Sequence, residues 1–171
     1  MVIKYIYTFW ILVTLSSCNF LSLNLKERAV QKKLLKVIEY TPVDQKLGMR
    51  WLVAHMTDQD KTSLNIKFLL ENCDYAYRAW GNTPWDNHVP DSIFYEYILP
   101  FSSLNERRDN WRKNFYNLFY ELVDSANSAY EAVTILNKNI YKILNVTYSP
   151  KRPKADQSPY ESIDAGLASC T

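Results

Sequence analysis

The sequence predicts a mostly α-helical protein, and three observations carry this prediction. Only three of the 171 residues are Gly, which leaves few positions for the positive-φ turns that hairpin-rich folds need. Long stretches without Pro carry apolar residues three or four positions apart, as one face of a helix does. Two Ser-x-x-Glu capping boxes, at Ser103 and Ser128, indicate helix starts. A chain of this length is expected to form one compact domain or part of one.

Residues 1–17 have the pattern of an export signal. One early charge precedes an apolar run from Tyr5 to Leu15, which is too short to cross a bilayer because a spanning helix needs about 20 apolar residues. The run leads into Leu-Ser-Ser-Cys, which resembles the bacterial lipobox, and this resemblance implies that Cys18 is acylated and becomes the mature N-terminus. A general secretory cleavage site beside a chance Cys is the alternative. Because Asn19 does not match the inner-membrane retention signal, we expect an outer-membrane or cell-surface lipoprotein, with the periplasmic face left open.

Residues 18–104 are predicted to form a helical N-terminal region. An amphipathic helix over residues 25–40 has Lys and Arg on the faces away from its apolar side, where they either meet solvent or rest near anionic lipid. Pro42 ends it, and a second helix over 43–56 is expected to be interrupted by Gly48. Thr57 then caps a helix from about 58 to 80. The apolar residues of the first helix are Val30, Leu34, Val37 and Ile38.

The helix after Thr57 leads into a loop over residues 81–90 that is rich in turn formers. Cys73 falls on the apolar face of this helix, so we expect it to be a small buried side chain. The aromatic residues around the loop either pack onto the helices or hold a sugar or peptide. They are Tyr75, Tyr77, Trp80, Trp85, Phe94, Tyr95 and Tyr97. His55 and His88 have no Cys or carboxylate at ligand spacing, so we predict no metal and no cofactor.

The two capping boxes predict two strong helices. The first begins at Ser103 with Glu106 and continues to about Val123, and the second runs from Ser128 to Asn145. In the first of them, residues 106–109 have the pattern of a charged, solvent-exposed first turn.

The last part of the chain changes character. A few strand residues are expected around 146–148, followed by a basic loop with two prolines. Ser158 as N-cap, Pro159 at the first helical position and Glu161 two residues later predict a short helix that ends at Gly166. If a further helix begins at Ser169 or Cys170, its N-terminal N–H groups would lower the pKa of the Cys170 thiol and favour a nucleophilic thiolate.

Three segments together resemble the transglutaminase-like proteins that gut Bacteroidetes export, often as lipoproteins, and the likeness covers most of the mature chain. The segments are Asn105-Glu106-Arg107-Arg108-Asp109-Asn110-Trp111-Arg112 continuing to Tyr148-Ser149, then Ser158-Pro159-Tyr160-Glu161-Ser162-Ile163, and Gly166-Leu167-Ala168-Ser169-Cys170-Thr171. The resemblance implies an α+β, papain-like core that starts at residue 105 and is truncated at 171, with Cys170 as the nucleophile.

The resemblance also implies a His and then an Asp in a sheet after the nucleophile. This sequence stops one residue after Cys170, so we expect this piece to be inactive alone and to look mostly helical. A Trp that donates to the oxyanion in some relatives has no counterpart between Trp111 and Cys170, where Tyr148 is a candidate substitute or an ordinary packing residue.

Two functions remain open from the sequence. The first is the N-terminal part of a lipid-anchored thiol enzyme that acts on amide bonds of a peptide, protein or glycopeptide, by hydrolysis or by acyl transfer at Cys170. The second is a helical lipoprotein module that binds a peptide or glycan without chemistry. Nucleic acid is not an expected partner, because the net charge of +2 is spread without long basic runs.

Overall fold

The computed structural model describes residues 25–81, 83 and 90–169. Most of these residues are helical, as predicted. The helices are α1 (residues 25–40), α2 (Lys46–His55), α3 (Asp58–Ser63), α4 (Ile66–Gly81), α5 (Asp91–Ile93), α6 (Arg112–Val123), α7 (Ala129–Ile143) and α8 (Pro159–Ala165). A 3₁₀ turn (Val43–Gln45) precedes α2, and a π-helical turn (Phe94–Ile98) continues α5.

Two short strands pair in parallel near the end of the described chain. They are β1 (Thr147–Tyr148) and β2 (Leu167–Ala168), with Thr147 opposite Leu167 and Tyr148 opposite Ala168. A parallel pair needs a crossover connection, and the segment that contains α8 supplies it. The strand around 146–148 is therefore confirmed, whereas β2 is a feature that the sequence did not predict.

The main core is formed by α1, α2, α4 and the segment around the π-helical turn. Val37, Met49, Leu69 and Leu99 are fully buried in it, one from each of these parts. Cys73 is fully buried in the same cluster, as the spacing along α4 predicts. Helix α6 packs against α4 on one side and α7 on the other, so the C-terminal elements join this core through α4.

The single helix predicted over residues 58–80 is in fact two helices. Thr57 caps α3 as expected, since its hydroxyl accepts from the Asp60 N–H at 3.1 Å. The helix stops at Leu64, and the side chain of Asn65 accepts from the Phe68 N–H at 2.8 Å and starts α4. The Lys33 ammonium donates to the carbonyls of Lys61 and Leu64 and satisfies the open end of α3.

The capping box at Ser103 does not start a helix, so that prediction was wrong. The Glu106 carboxylate does reach back to the N–H groups of Ser103 and Leu104, but the chain stays irregular until α6 begins at Arg112. Arg108 and Asp109, which follow shortly after Glu106, explain the difference because they bond to partners far away in the sequence. These long-range bonds hold the segment outside a helical path.

Two other local predictions, at Ser128 and Gly48, had opposite outcomes. Ser128 caps α7 by accepting from the Glu131 N–H. Gly48 lies inside α2 without interrupting it, contrary to the expectation from sequence. In the part of the chain that the structure describes, no helix combines the length and apolar character needed to cross a bilayer.

Candidate functional site

The residues that lead to Cys170 are held by a complete helix cap and a strand pair. The Ser158 hydroxyl accepts from the Glu161 N–H at 3.1 Å, and the Glu161 carboxylate accepts from the Ser158 N–H at 2.9 Å. Pro159 occupies the first helical position, and Gly166 ends α8 in the left-handed conformation at φ 64°. Every one of these roles was predicted from the sequence.

Beyond Gly166 the chain is fixed by backbone hydrogen bonds to β1. The Thr147 N–H donates to the Gly166 carbonyl and the Ser149 N–H donates to the Ala168 carbonyl, each at 2.9 Å. Tyr148, the candidate oxyanion donor, lies between these two bonds with its side chain 58% exposed. Cys170 itself lies outside the described residues, and Ser169 is the last residue before it.

A cleft of about 1390 Å³ opens beside this strand pair. The π-helical turn, the irregular chain from Pro100 to Glu106 and the start of α6 form one part of its wall. The inner face of α7 and the segment before α8 form another, and Ala168 and Ser169 complete it. The cleft therefore extends to the residue immediately before the predicted nucleophile.

A π-helical turn is an unusual wall for a cleft. The Leu99 N–H donates to the Phe94 carbonyl at 2.8 Å, which is the wider five-residue step of a π-helix. Such turns are rare in proteins, and those that occur often lie near functional sites. Here the turn places Tyr97 in the cleft lining with 73% of its surface exposed.

Arg112 is the cation of the cleft wall, and its guanidinium is held by neutral acceptors. Its Nε donates to Asn72 Oδ1 and its Nη2 to the Pro100 carbonyl, each at 2.7 Å. Burial lowers the pKa of Arg112 to about 10, since it disfavours the charged guanidinium. These bonds hold the start of α6 against α4 and against Pro100 in the cleft wall.

Asp109 anchors the start of α8, and the sequence had not indicated this. Its carboxylate accepts from the Ser158 hydroxyl, from the Tyr160 N–H at 3.2 Å and from Arg107 Nε at 2.6 Å. Asp109 is 9% exposed and Ser158 is fully buried. The prediction that residues 106–109 form an exposed charged turn was therefore wrong for Asp109, because it faces α8 rather than solvent.

The aromatic residues near the predicted loop divide into two groups. Tyr77 and Trp80 pack on Phe94, with ring centroids 4.7 and 5.2 Å apart, so these rings belong to the core. Tyr97 faces the cleft instead. Trp85 and His88 lie outside the described residues, as does Cys18.

The contacts of His55 and the burial of Cys73 indicate structural roles for both residues. The His55 ring stacks on Trp51 with centroids 4.0 Å apart, and its Nδ1 lies 2.7 Å from the Trp51 carbonyl. Burial, reinforced by the nearby Asp74 carboxylate, raises the pKa of the Cys73 thiol to about 12, so this thiol stays protonated and unreactive at neutral pH. Within residues 25–81, 83 and 90–169, no group of His, Cys, Asp or Glu side chains is arranged to hold a metal ion.

Comparison with known proteins adds no relative. No family model, no curated protein and no solved structure matches the chain.

Proposed function

We propose that the chain is the N-terminal part of an exported, lipid-anchored, transglutaminase-like protein that acts on amide bonds through Cys170. The observation that supports this most is the path of the chain into the cleft. Ala168 and Ser169 line the cleft, and the β1–β2 bonds fix the backbone as far as Ala168. A nucleophile needs a fixed backbone and an adjacent space for substrate, and both are present up to Ala168.

The proposed reaction proceeds through a thioester. The Cys170 thiolate attacks the carbonyl carbon of a substrate amide, and the resulting tetrahedral oxyanion collapses as the C–N bond breaks and the amine leaves with a proton. Water then gives hydrolysis, and a second amine gives acyl transfer. A general base must take the thiol proton. His55 does not line the cleft, so we assign the base to a residue outside those described.

The thiol chemistry is tested by comparing the reactivity of two cysteines, Cys170 and Cys73, in the protein expressed from its full gene. With iodoacetamide at pH 7, Cys170 is expected to react at least about tenfold faster than an unperturbed thiol, because a helix N-terminus and a base favour thiolate. Cys73 is the matched internal control and should remain unmodified in the folded protein, given its raised pKa. Peptide mapping by mass spectrometry measures both sites.

The same protein is then assayed for release of ammonia and for incorporation of a fluorescent primary amine into a glutamine-containing protein. Cys170→Ser should abolish either activity, whereas Cys73→Ser should retain it if the variant folds. An active Cys170→Ser variant, or a Cys170 that reacts no faster than glutathione, would show that the nucleophile is assigned wrongly.

A binding module without chemistry is the second candidate, and the exposure of Tyr97 in the cleft favours it. An exposed aromatic ring beside apolar and polar walls is suited to stack on a sugar or a peptide. Ligand affinity and amide-bond activity of the variants distinguish the two candidates. For a binding module, Cys170→Ser leaves ligand affinity unchanged and Tyr97→Ala weakens it. Neither the parent protein nor these variants then shows activity on amide bonds.

A further inference from the structure

The N-terminal part of the described chain exposes an unusual amount of apolar surface. Val43 is 84% exposed, Leu47 is 69% exposed and Leu35 is 62% exposed. Tyr40 and Leu25 are also more than half exposed. Side chains of this kind that are clustered along consecutive elements mark an interaction surface more often than scattered ones do.

The outward side of α1 mixes these apolar residues with cations. Leu25, Arg28, Lys32 and Leu35 follow one another at steps of three, four and three, so they share one face, and all four are exposed. The opposite face carries Val37, which is fully buried in the core. Packing in the core therefore does not explain why positions 25 and 35 are leucine, because α1 buries its opposite side there.

Exposed apolar residues continue along the chain after α1. Val43 and Leu47 are four residues apart across the 3₁₀ turn and α2, and Arg50 is one turn further and is also exposed. We define the outward face as the exposed apolar residues of this region with their neighbouring cations. It comprises Leu25, Arg28, Lys32, Leu35, Lys36, Tyr40, Val43, Leu47 and Arg50.

The charge of this region is opposite to that of the rest of the chain. Residues 25–50 contain seven Lys or Arg and three Asp or Glu. Residues 51–171 contain twelve Lys or Arg and fifteen Asp or Glu. A positive segment on an otherwise negative chain orients the molecule in an electric field, with residues 25–50 towards an anionic surface.

We infer that the outward face lies on an anionic lipid bilayer, with Leu35, Val43 and Leu47 inserted between lipid headgroups and the cations on lipid phosphates. Apolar side chains flanked by Lys and Arg are the composition of surfaces that bind at the membrane interface. The inference extends the proposed lipid anchor at Cys18 but does not depend on it.

The inference is tested with the chain from residue 18 onward carrying Cys18→Ala, so that no lipid contributes. The probe is a vesicle of equal parts phosphatidylglycerol and phosphatidylcholine, with a vesicle of phosphatidylcholine alone as the comparison. The protein is expected to co-sediment with the anionic vesicles, and binding should weaken as NaCl rises because screening shortens the reach of the charges.

The decisive variant is Leu35→Ser with Val43→Ser and Leu47→Ser, which should weaken partition into the anionic vesicles by roughly tenfold or more. The matched control is Tyr130→Ser with Val133→Ser on α7, where the side chains are 83% and 53% exposed. This control should bind as the parent does. Because all five positions are exposed, both variants should keep the helical circular dichroism of the parent.

The inference would be overturned by no binding to anionic vesicles, by equal binding of the two variants, or by equal binding to uncharged vesicles. A dimer that the triple variant dissociates would also overturn it, since a second copy would then cover the face. The anchor is tested separately by membrane fractionation of Cys18→Ala in the native host. Release of this variant only by a high-salt wash, with vesicle binding at low salt retained, supports both ideas. If the variant is released without salt and shows no vesicle binding, the anchor is supported and this inference is overturned.

Discussion

At the scale of single residues, the close approach of α2 and α4 limits the size of the residue at position 48. The Gly48 N–H near the start of α2 donates to Tyr77 Oη of α4 at 3.2 Å. A Cβ added at Gly48 would lie 2.5 Å from Tyr77 Oη and 2.8 Å from Tyr77 Cε2. Real Cβ atoms essentially never lie this close to a neighbour, so a side chain here would force the Tyr77 ring to shift, and the glycine serves close approach of that ring rather than backbone conformation.

Gly48→Ala is therefore expected to destabilise the protein by about 1–3 kcal/mol, although Ala is intrinsically the better helix former. Gly81→Ala is the matched control. Gly81 ends α4, and a Cβ there meets nothing within 4 Å. That variant should be neutral or slightly more stable. Urea unfolding measures both, and equal stability of the two variants would contradict the assigned role of Gly48.

The residue scale also shows what sequence alone can predict. The burial of Cys73 follows from its position on the apolar face of α4, so it was predictable from spacing. The contact between Gly48 and Tyr77 was not, because it depends on how closely α2 approaches α4. The local rule that glycine weakens a helix predicts an interruption at Gly48, and it fails because the role of this residue is tertiary.

At the scale of elements, α8 is the best example of local prediction. Its cap, its proline and its terminal glycine are all set by neighbouring residues. The hydrogen bond from the Ser158 N–H, followed by that from the Lys154 ammonium, lowers the pKa of Glu161 to about 2. The carboxylate form of Glu161 thus stabilises the folded helix.

The low pKa of Glu161 gives a pH dependence with a definite sign. Its stabilising effect is complete above its usual pKa near 4.5 and is lost as the pH falls from about 4.5 towards 2. The urea midpoint should therefore drop between pH 6 and pH 3, and Glu161→Gln should reduce that drop. Glu121→Gln, at an exposed position on α6, is the control and should leave the drop unchanged.

The capping boxes predicted at Ser103 and Ser128 had different outcomes for a physical reason. Ser128 has only local partners around it, and α7 begins there. Glu106 also reaches back as a capping residue does, but Arg108 bonds to Asp60 and Asp109 bonds to Ser158. A helix cap contributes about 1 kcal/mol, whereas leaving a buried carboxylate without its partner costs about 3–5 kcal/mol, so the chain keeps the long-range contacts.

At the scale of the whole molecule, the irregular chain before α6 connects parts that are distant in sequence. Arg108 Nε and Nη2 donate to the two carboxylate oxygens of Asp60 at 3.0 and 3.2 Å, with the Asp60 side chain 6% exposed. Arg112 holds α4, and Asp109 holds α8. Partners for buried charges cannot be read from spacing, so this part of the candidate site was missed.

Arg108→Gln leaves the buried Asp60 carboxylate without its cation and is expected to destabilise the protein by about 3 kcal/mol. Arg78→Gln is the matched control. Arg78 forms an exposed pair with Asp74 at 2.9 Å one turn earlier on α4, and its loss should cost under about 0.5 kcal/mol. Chemical unfolding gives both values. Equal losses would mean that the Asp60–Arg108 pair does not hold the fold.

The same contacts set an order of events during synthesis. Asp60 is separated from Arg108 by 48 positions, and Asp109 from Ser158 by 49. A chain that leaves the ribosome N-terminus first can form its local helices at once, but each of these bonds must wait until about 50 further residues have emerged. The segment around Asp60 therefore spends part of its synthesis with a carboxylate exposed that the finished fold buries. The cleft described above is complete only after residues 155–169 have emerged.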